Sequence, residues 1–302
     1  VPARPAAVRA LPAEPGIYRF RDDRGRVLYL GRATELRSRV GSYWGDLRER
    51  RHLRRMIPRI ARIEALVCDS VHEAAWAERN LLERSLPPWN RIAGGLEVPV
   101  SIRLDTSAAA PRLDVVHSVR PSPGTRIFGP YLGSRKVRAA VSGLQRVHPL
   151  PYAATSASAA QRELARLRGA GRADVRELSG AITAVLDRDP SAVAAARATL
   201  AARRDAAAEA LAFEAAARLQ EEIAALDWVV APQRVTAAAG HDEDVAGWAD
   251  DVLVRLSIRA GRLCGWEQRQ AARPAGNTAG TWGEFVQRNA ELAAVLLRRP
   301  VR

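Results

Sequence analysis

The stretch PGIYRFRDDRGRVLYLGRATELRSRV, residues 15–40, decides the fold. Residues 17–21 and 27–30 alternate apolar and polar side chains, the period of a strand. Asp22-Asp23-Arg24-Gly25 between them is turn chemistry, so a β-hairpin is predicted. With the turn centred between Asp23 and Arg24, Tyr18 and Tyr29 stand opposite one another on one face. A bulge at Gly25 slips that register by one and separates them. Thr34 can cap a helix running through about Trp44, with Leu36, Val40 and Tyr43 as its buried stripe. Arg39 lies beside that stripe, where an arginine either snorkels to water, the commoner outcome, or faces a site.

Outward from this hairpin, residues 1–14 are rich in Pro and Ala and read as a linker. An Arg-rich helix is predicted up to Ile57, stopped by Pro58, and then a third strand over residues 60–68. Ser70-Val71-His72-Glu73 is a capping box that opens a helix to about Leu86, and Pro87-Pro88 stops it. Residues 98–104 and 112–119 read as strands, Phe128-Gly129-Pro130-Tyr131 as a turn, and 134–147 as a helix. Residues 149–160 are a low-complexity connector. From 161 to 228 the chain is Ala-rich and helical, with helices over about 191–210 and 212–228 pairing as a hairpin. A second small β-hairpin is predicted around Ala260-Gly261, and a last helix over about 282–298. The fold class is therefore α+β: a small antiparallel three-stranded sheet flanked by helices, then a mainly helical region, then a small C-terminal α/β segment. Domain boundaries are expected at 1–95, 96–150, 151–232 and 233–302.

The 302 residues carry a formal net charge of +14, nearly all of the excess being arginine, since Lys136 is the lone lysine. Such a surplus points to a polyanion, most simply nucleic acid, although GC-rich coding also favours Arg over Lys. Cys68 and Cys264 are too few and too far apart for a disulfide framework, a Cys-rich zinc site or an iron–sulfur cluster. The scattered histidines offer no HxxxH or HxH pair for a metal. No apolar run reaches the ~18 residues of a membrane span, and no signal peptide is visible, so a cytoplasmic, nucleoid-associated protein is expected. The chain begins with Val, and Met56 is its single Met. An upstream domain is therefore expected to be missing.

Glu78 is the sharpest chemical clue. In the helix opened by Ser70 the apolar stripe is Val71, Ala74, Ala75, Leu81 and Leu82, and Glu78 falls on its i+7 position. A carboxylate buried there without a partner costs about 1–3 kcal/mol or more, so it sits at the stripe's edge or binds a metal ion or an arginine. Asn90, beyond the prolines, can fix a ligand or tie a loop; an ordinary turn asparagine is the plainer reading.

Two Tyr, an Arg, a Glu and an Asn in this order resemble the GIY-YIG nucleases, and within them the catalytic domain of the UvrC and Cho repair endonucleases. Gly16-Ile17-Tyr18 matches the GIY element, and Tyr29-Leu30-Gly31 matches YIG with Leu for Ile. Gly31-Arg32-Ala33, Leu36 and Arg39 match G-K-A-x-x-L-x-x-R, with Arg32 in place of Lys. Glu73-Ala74, Glu78, Asn80-Leu81 and the run from Pro87 to Asn90 match E-A-x-x-x-E-x-N-L-I … P-x-Y-N, with Trp89 for Tyr and Leu86 where Arg is usual. More weakly, Phe128-Gly129-Pro130-Tyr131 resembles the F-G-P-Y of UvrC proteins. Leu211 to Ala216, with Arg218 and Ile223, resembles the hairpin that contacts UvrB.

The resemblance implies hydrolysis of one DNA strand with a single divalent ion, Mg2+ or Mn2+. Glu78 would be the metal ligand and Arg39 the phosphate clamp. Tyr18 would be general base through a lowered pKa, with Tyr29 orienting water or phosphate and the proton-taking tyrosine left open. Asn90 would order the loop, Arg32 would supply charge, and Tyr43 would be a further member. Arg32, Arg37, Arg39, Arg51, Arg54 and Arg55 would track DNA phosphate. Phe213, Glu214, Ala216 and Arg218 would contact UvrB. The UvrC cysteine cluster is absent and no iron–sulfur cluster is implied. Residues 233–302 resemble the truncated start of an RNase H-like domain without a catalytic site. One incision, Cho-like and 3′ of a lesion, is then implied. A place behind a proofreading-type exonuclease, as in actinobacterial fusions, is compatible with the Pro/Ala-rich opening. The contrasting expectation is a catalytically silent adaptor that binds DNA and UvrB, its cutting lost through Arg32, Leu86 and Trp89.

Overall fold

The computed structural model describes residues 5–45, 53–93, 97–106, 111–118, 123–153, 158–160, 163, 174–232, 241–272, 282–299 and 301. They form two compact units, residues 1–96 with 232–302, and residues 97–231. Both helices and strands are present in each, as an α+β chain requires.

The first unit opens with α1 (Ala6–Ala10), β1 (Gly16–Arg21), β2 (Val27–Ala33), α2 (Leu36–Gly41), β3 (Arg62–Val67) and α3 (Val71–Arg84). Residues 6–10 are not a linker: Ala7, Val8 and Leu11 are buried in the same core as Tyr18, Phe20, Leu36, Val40 and Tyr43. The opening reads as linker because its Ala and Pro lack a long apolar period, yet three small contacts are enough to seat one helical turn. Helix α2 starts at Leu36 with Glu35 as its N-cap, and no side chain caps it. The backbone carbonyls of Glu14 and Pro12 accept from Leu36 and Arg37 N–H at 2.9 and 3.1 Å, doing the work expected of Thr34. Leu53 to Arg59 make 3-10 turns rather than an α-helix, and Pro58 sits inside the second of them. The part of the predicted Arg-rich helix over 46–52, Arg51 included, lies outside the described residues.

The sheet order is β2-β1-β3, antiparallel throughout. Strand β2 is therefore an edge. Gly16 is required by packing: a Cβ there would come 2.2 Å from the Leu66 carbonyl oxygen of β3. Helix α3 starts as its sequence predicts, with Ser70 Oγ accepting from Glu73 N–H at 3.0 Å. The Glu73 carboxylate reaches back to Asp69 N–H rather than to the cap residue itself.

The second unit holds β4 (Pro99–Asp105), β5 (Arg112–Val116), β6 (Thr125–Leu132), α4 (Ser134–Val147), α5 (Val175–Leu186), α6 (Pro190–Glu209) and α7 (Phe213–Val230). The predicted Phe128–Tyr131 turn is instead the end of β6, which pairs with β4 through a bulge near Val100. Gly129, at φ +111°, supplies the irregular backbone that makes the segment look like a turn in sequence. Helices α6 and α7 form the antiparallel hairpin. Glu222 of α7 ties it to α4: Ser142 and Arg146 donate to its carboxylate at 2.7 and 2.9 Å.

The chain returns to the first unit with β7 (Glu243–Ala249), β8 (Val252–Arg259), β9 (Arg262–Gln270) and α8 (Gly283–Leu297). The predicted hairpin is real and gains β7 as a third strand, in the order β7-β8-β9. These elements are bolted onto the first sheet. Asn289 of α8 pairs bidentately with the backbone of β3, accepting from Val67 N–H at 2.7 Å and donating to Val67 C=O at 3.2 Å. Arg19 of β1 stacks on Trp266 of β9, 3.9 Å from the ring centroid, and donates to its carbonyl at 2.7 Å. Among the described residues no helix is long and apolar enough to cross a membrane.

Candidate active site

Strand β2 organises the site, because its two faces and its free edge each carry part of it. On one face β1 and β2 pair Tyr18 with Gly31 and Phe20 with Tyr29, with an irregularity at Phe20/Arg21. The register has therefore slipped by two residues from the tight turn, not by one. Gly25 at φ +77° and the irregular end of β1 absorb the extra residues. An even slip preserves facing, so Tyr18 and Tyr29 are diagonal neighbours rather than directly opposite, with ring centroids 6.2 Å apart. Gly31 follows from the same geometry: a Cβ there would lie 2.6 Å from the Tyr18 hydroxyl and 2.8 Å from Tyr29 Cε1. The ring of Tyr18 lies on the glycine of the YIG element.

Tyr43, in the 3-10 turn Ser42–Trp44 after α2, completes an aromatic triad. Its hydroxyl shares a 2.7 Å hydrogen bond with that of Tyr18, and its ring is 5.9 Å from those of both Tyr18 and Tyr29. Arg39, half-buried, places its guanidinium 5.9 Å from the Tyr43 ring centroid. It faces the phenols rather than snorkelling away. Burial disfavours its charge, but the phenols of Tyr18 and Tyr43 outweigh that and raise its pKa.

The lowered pKa expected for Tyr18 is overturned. Tyr18 is 0% exposed, and burial, reinforced by Tyr29, pushes its phenol well above the ordinary range despite the opposing pull of Arg39 and Tyr43. Burial drives Tyr43 up as well, with Tyr18 and Tyr29 adding to it. A cation beside a phenol lowers its pKa while stripping water from the phenolate raises it; here desolvation wins. Tyr29 is the member of the triad that remains partly open to solvent.

Ile17 pairs with Arg32, so Arg32 projects from the other face of β2, toward α3. There its Nε stands 3.4 Å from Glu78 Oε2. Glu78 is neither fully buried nor free: it lies at the edge of its helix stripe against an arginine, one of the outcomes its position allows. Tyr29 and Arg32 are three residues apart on the strand, a rise of roughly 10 Å. Asn90 closes the free edge between them. Its Oδ1 accepts from Leu30 N–H at 2.9 Å and its Nδ2 donates to Leu30 C=O at 2.8 Å, while Trp89 N–H reaches Leu28 C=O at 3.1 Å. The turn at Pro88–Trp89 thus lies against the edge of β2, tied there by one backbone bond and by the Asn90 side chain.

Residues 14–91 match the family described as the UvrC-like GIY-YIG domain. These residues are a UvrC-like GIY-YIG domain. Beyond them, the chain is 32% identical over 275 residues to the UvrABC system protein C of Geobacter metallireducens, covering 85% of this chain and 44% of that protein. The protein of the same name from Mycobacterium tuberculosis is 32% identical over 273 residues, covering 85% and 42%. That from Syntrophotalea carbinolica is 30% identical over 269 residues, covering 83% and 43%. The chain thus spans less than half the length of these curated relatives. Among solved structures, the GIY-YIG N-terminal endonuclease domain of UvrC from Thermotoga maritima, bound to its catalytic magnesium, is 28% identical and matches 28% of this chain and 98% of that domain, with a TM-score of 0.26.

The remaining expected site residues of the GIY-YIG domain divide clearly. Arg37 is tied to the protein, its Nε donating to Leu11 C=O at 2.7 Å. Arg54 and Arg55 are exposed. In the second unit Phe213 is 66% exposed and Leu211 73%, at the turn of the α6–α7 hairpin, with Glu214 and Arg218 also exposed and Ala216 partly so. Sequence reasoning missed Arg19 and Glu64, which bond side by side on β1 and β3 with Glu64 completely buried. Burial lowers the Arg19 pKa to about 10, with Glu64 opposing. Their signal was present: each is a charge with apolar neighbours on both sides in its strand.

Among the described residues no group of three or more His, Cys, Asp or Glu side chains could hold a metal. Glu78 offers a hard carboxylate beside Arg32. That donor set suits Mg2+, which keeps most of its water and takes one or two carboxylates plus substrate phosphate oxygens.

Proposed function

We propose that this chain is a divalent-metal-dependent DNA endonuclease that makes one incision, on the 3′ side of a lesion, as in UvrC- and Cho-type excision repair. The observation carrying the proposal is the arrangement around β2: a guanidinium and a solvent-reached phenol on one face, and a carboxylate held by Arg32 on the other. Glu78 is the residue that would hold Mg2+ or Mn2+, which when bound supplies Lewis-acid polarisation of a phosphoryl oxygen. Arg39, fixed against the triad and always charged, clamps the scissile phosphate and offsets the negative charge that grows on it. Tyr29, the phenol that water reaches, orients the attacking water and, as the phenolate, would take its proton. Tyr18 and Tyr43 stay protonated and hold Tyr29 and Arg39 in place. Asn90 keeps β2 straight beside them. The exposed arginines Arg54 and Arg55 add non-specific phosphate attraction. The apolar tip of the α6–α7 hairpin, Leu211 and Phe213, is the surface offered to UvrB.

One observation favours the adaptor reading: Arg32 satisfies Glu78 without a metal. The two are separated on an end-labelled duplex with a single bulky lesion, incubated with the chain and UvrB, with Mg2+, Mn2+ or chelator. A single metal-dependent product mapping 3′ of the lesion on a sequencing gel supports the endonuclease. Binding without a product under either metal supports the adaptor.

A further inference from the structure

Helix α3 carries a second polar residue that the site around β2 does not use. At ~100° per residue, Asn80 points to the side of the helix away from Glu78. Asn80 is 3% exposed, and neither its Oδ1 nor its Nδ2 meets a hydrogen-bond partner among the described residues. Buried amides without partners are rare, and each orphaned group costs about 1–3 kcal/mol. The side chain lines a cavity of about 350 Å³ within the first unit, between α3 and the β8–β9 hairpin. Its other walls are Glu83, Arg84, Arg259, Arg262 and Cys264, with the backbone of Ala260. Three guanidinium groups therefore converge with one carboxylate. Glu83 is engaged by Arg79 at 3.0 Å, and Arg259 by Asp244 at 3.1 Å. Arg84 and Arg262 make no ion pair with a carboxylate among the described residues. A buried amide donor facing two uncommitted guanidinium forks is the chemistry that binds a tetrahedral oxyanion.

We infer that the cavity between α3 and the β8–β9 hairpin is a phosphate-binding subsite, on the opposite side of α3 from Glu78, in which Asn80, Arg84 and Arg262 hold one phosphate group. Arg84 and Arg262 supply charge and the Asn80 amide supplies orientation, its Oδ1 taking a bridging water. The phosphate is either a link of the DNA backbone or a free oxyanion. In the first case the subsite anchors the duplex at a second point; in the second it is a ligand site in its own right.

The subsite is tested on the full chain with inorganic phosphate as probe. Titration of the 15N-labelled protein, against chloride at equal ionic strength, should shift the Asn80 side-chain amide resonance saturably. The exposed pair Arg84→Gln and Arg262→Gln should remove that shift without altering the fold. No saturable shift in the wild type, or one that survives in the double variant, overturns the inference. A second arm measures binding to a nicked duplex against salt in a Glu78→Gln background. A log–log salt slope shallower by about 1 in the double variant assigns the site to backbone phosphate. A phosphate-induced shift with an unchanged slope supports a free oxyanion instead. Neither arm requires cleavage, so the subsite stands or falls separately from the nuclease proposal.

Discussion

Tyr18 shows how a residue type can be recognised in sequence while its state is not. Its place in the GIY element is legible from three letters, but its ionisation depends on burial, which the letters do not carry. The 2.7 Å bond between the Tyr18 and Tyr43 hydroxyls has no solvent to replace it. Tyr18→Phe should therefore remove this bond, leaving Tyr29 as the partner of the Tyr43 hydroxyl, and cost about 0.5–1.5 kcal/mol in a denaturant titration. The raised phenol pKa values give a second test. The folded chain keeps these protons at a pH where unfolded tyrosines have lost theirs, so unfolding releases protons. The stability they contribute is complete below the unfolded value of ~10 and is lost as pH rises beyond it. Alkaline melts followed by fluorescence should show that loss, and Tyr18→Phe should reduce its steepness. Arg19 carries the same lesson, since a charge between apolar neighbours in a strand announces a partner without naming it, and Glu64 and Trp266 are 45 and 247 residues away.

At the level of elements, the hairpin, α3 with its capping box, and the α6–α7 pair were readable because each is built from local signals: period, cap and turn residues. Register was not, since it depends on how many residues the turn absorbs. The face of Tyr29 was recovered because the slip was even. The start of α2 and the strand character of Phe128–Tyr131 escaped because backbone contacts from distant loops and strands decide them, while the 3-10 turns after Leu53 are closed by local i→i+3 bonds that the letters do not separate from an α-helix. Asn90 joins the two levels. It was legible as a candidate, and the structure shows what it does: it caps the open edge of β2 through both Leu30 backbone groups. Asn90→Ala should cost about 1–3 kcal/mol and speed hydrogen exchange at the Leu30 amide. It should lower any cleavage without changing DNA affinity, because no phosphate contact is removed.

For the whole molecule, the segment after Pro232 packs into the first unit, a relation no sequence pattern announces. Asn289 serves the edge of β3 across 222 residues, and Arg288 reaches Asp69 at 2.9 Å. Asn289→Ala should leave Val67 N–H buried and unpaired, and destabilise the unit by about 1–3 kcal/mol. The corresponding observation is a lower denaturation midpoint with the second unit's helical signal unaffected. The candidate active site and the α3–β9 cavity share this one unit, so the folding of residues 232–302 conditions both.

The account rests on Glu78 and Tyr29 acting in strand hydrolysis, and the most direct measurement is single-turnover cleavage of a lesion-bearing duplex by wild type, Glu78→Gln and Tyr29→Phe, with DNA binding measured in parallel. Both variants should bind DNA as the wild type does, and Glu78→Gln should cut at least about 100-fold more slowly at saturating Mg2+. Cleavage by Glu78→Gln at the wild-type rate would contradict the account.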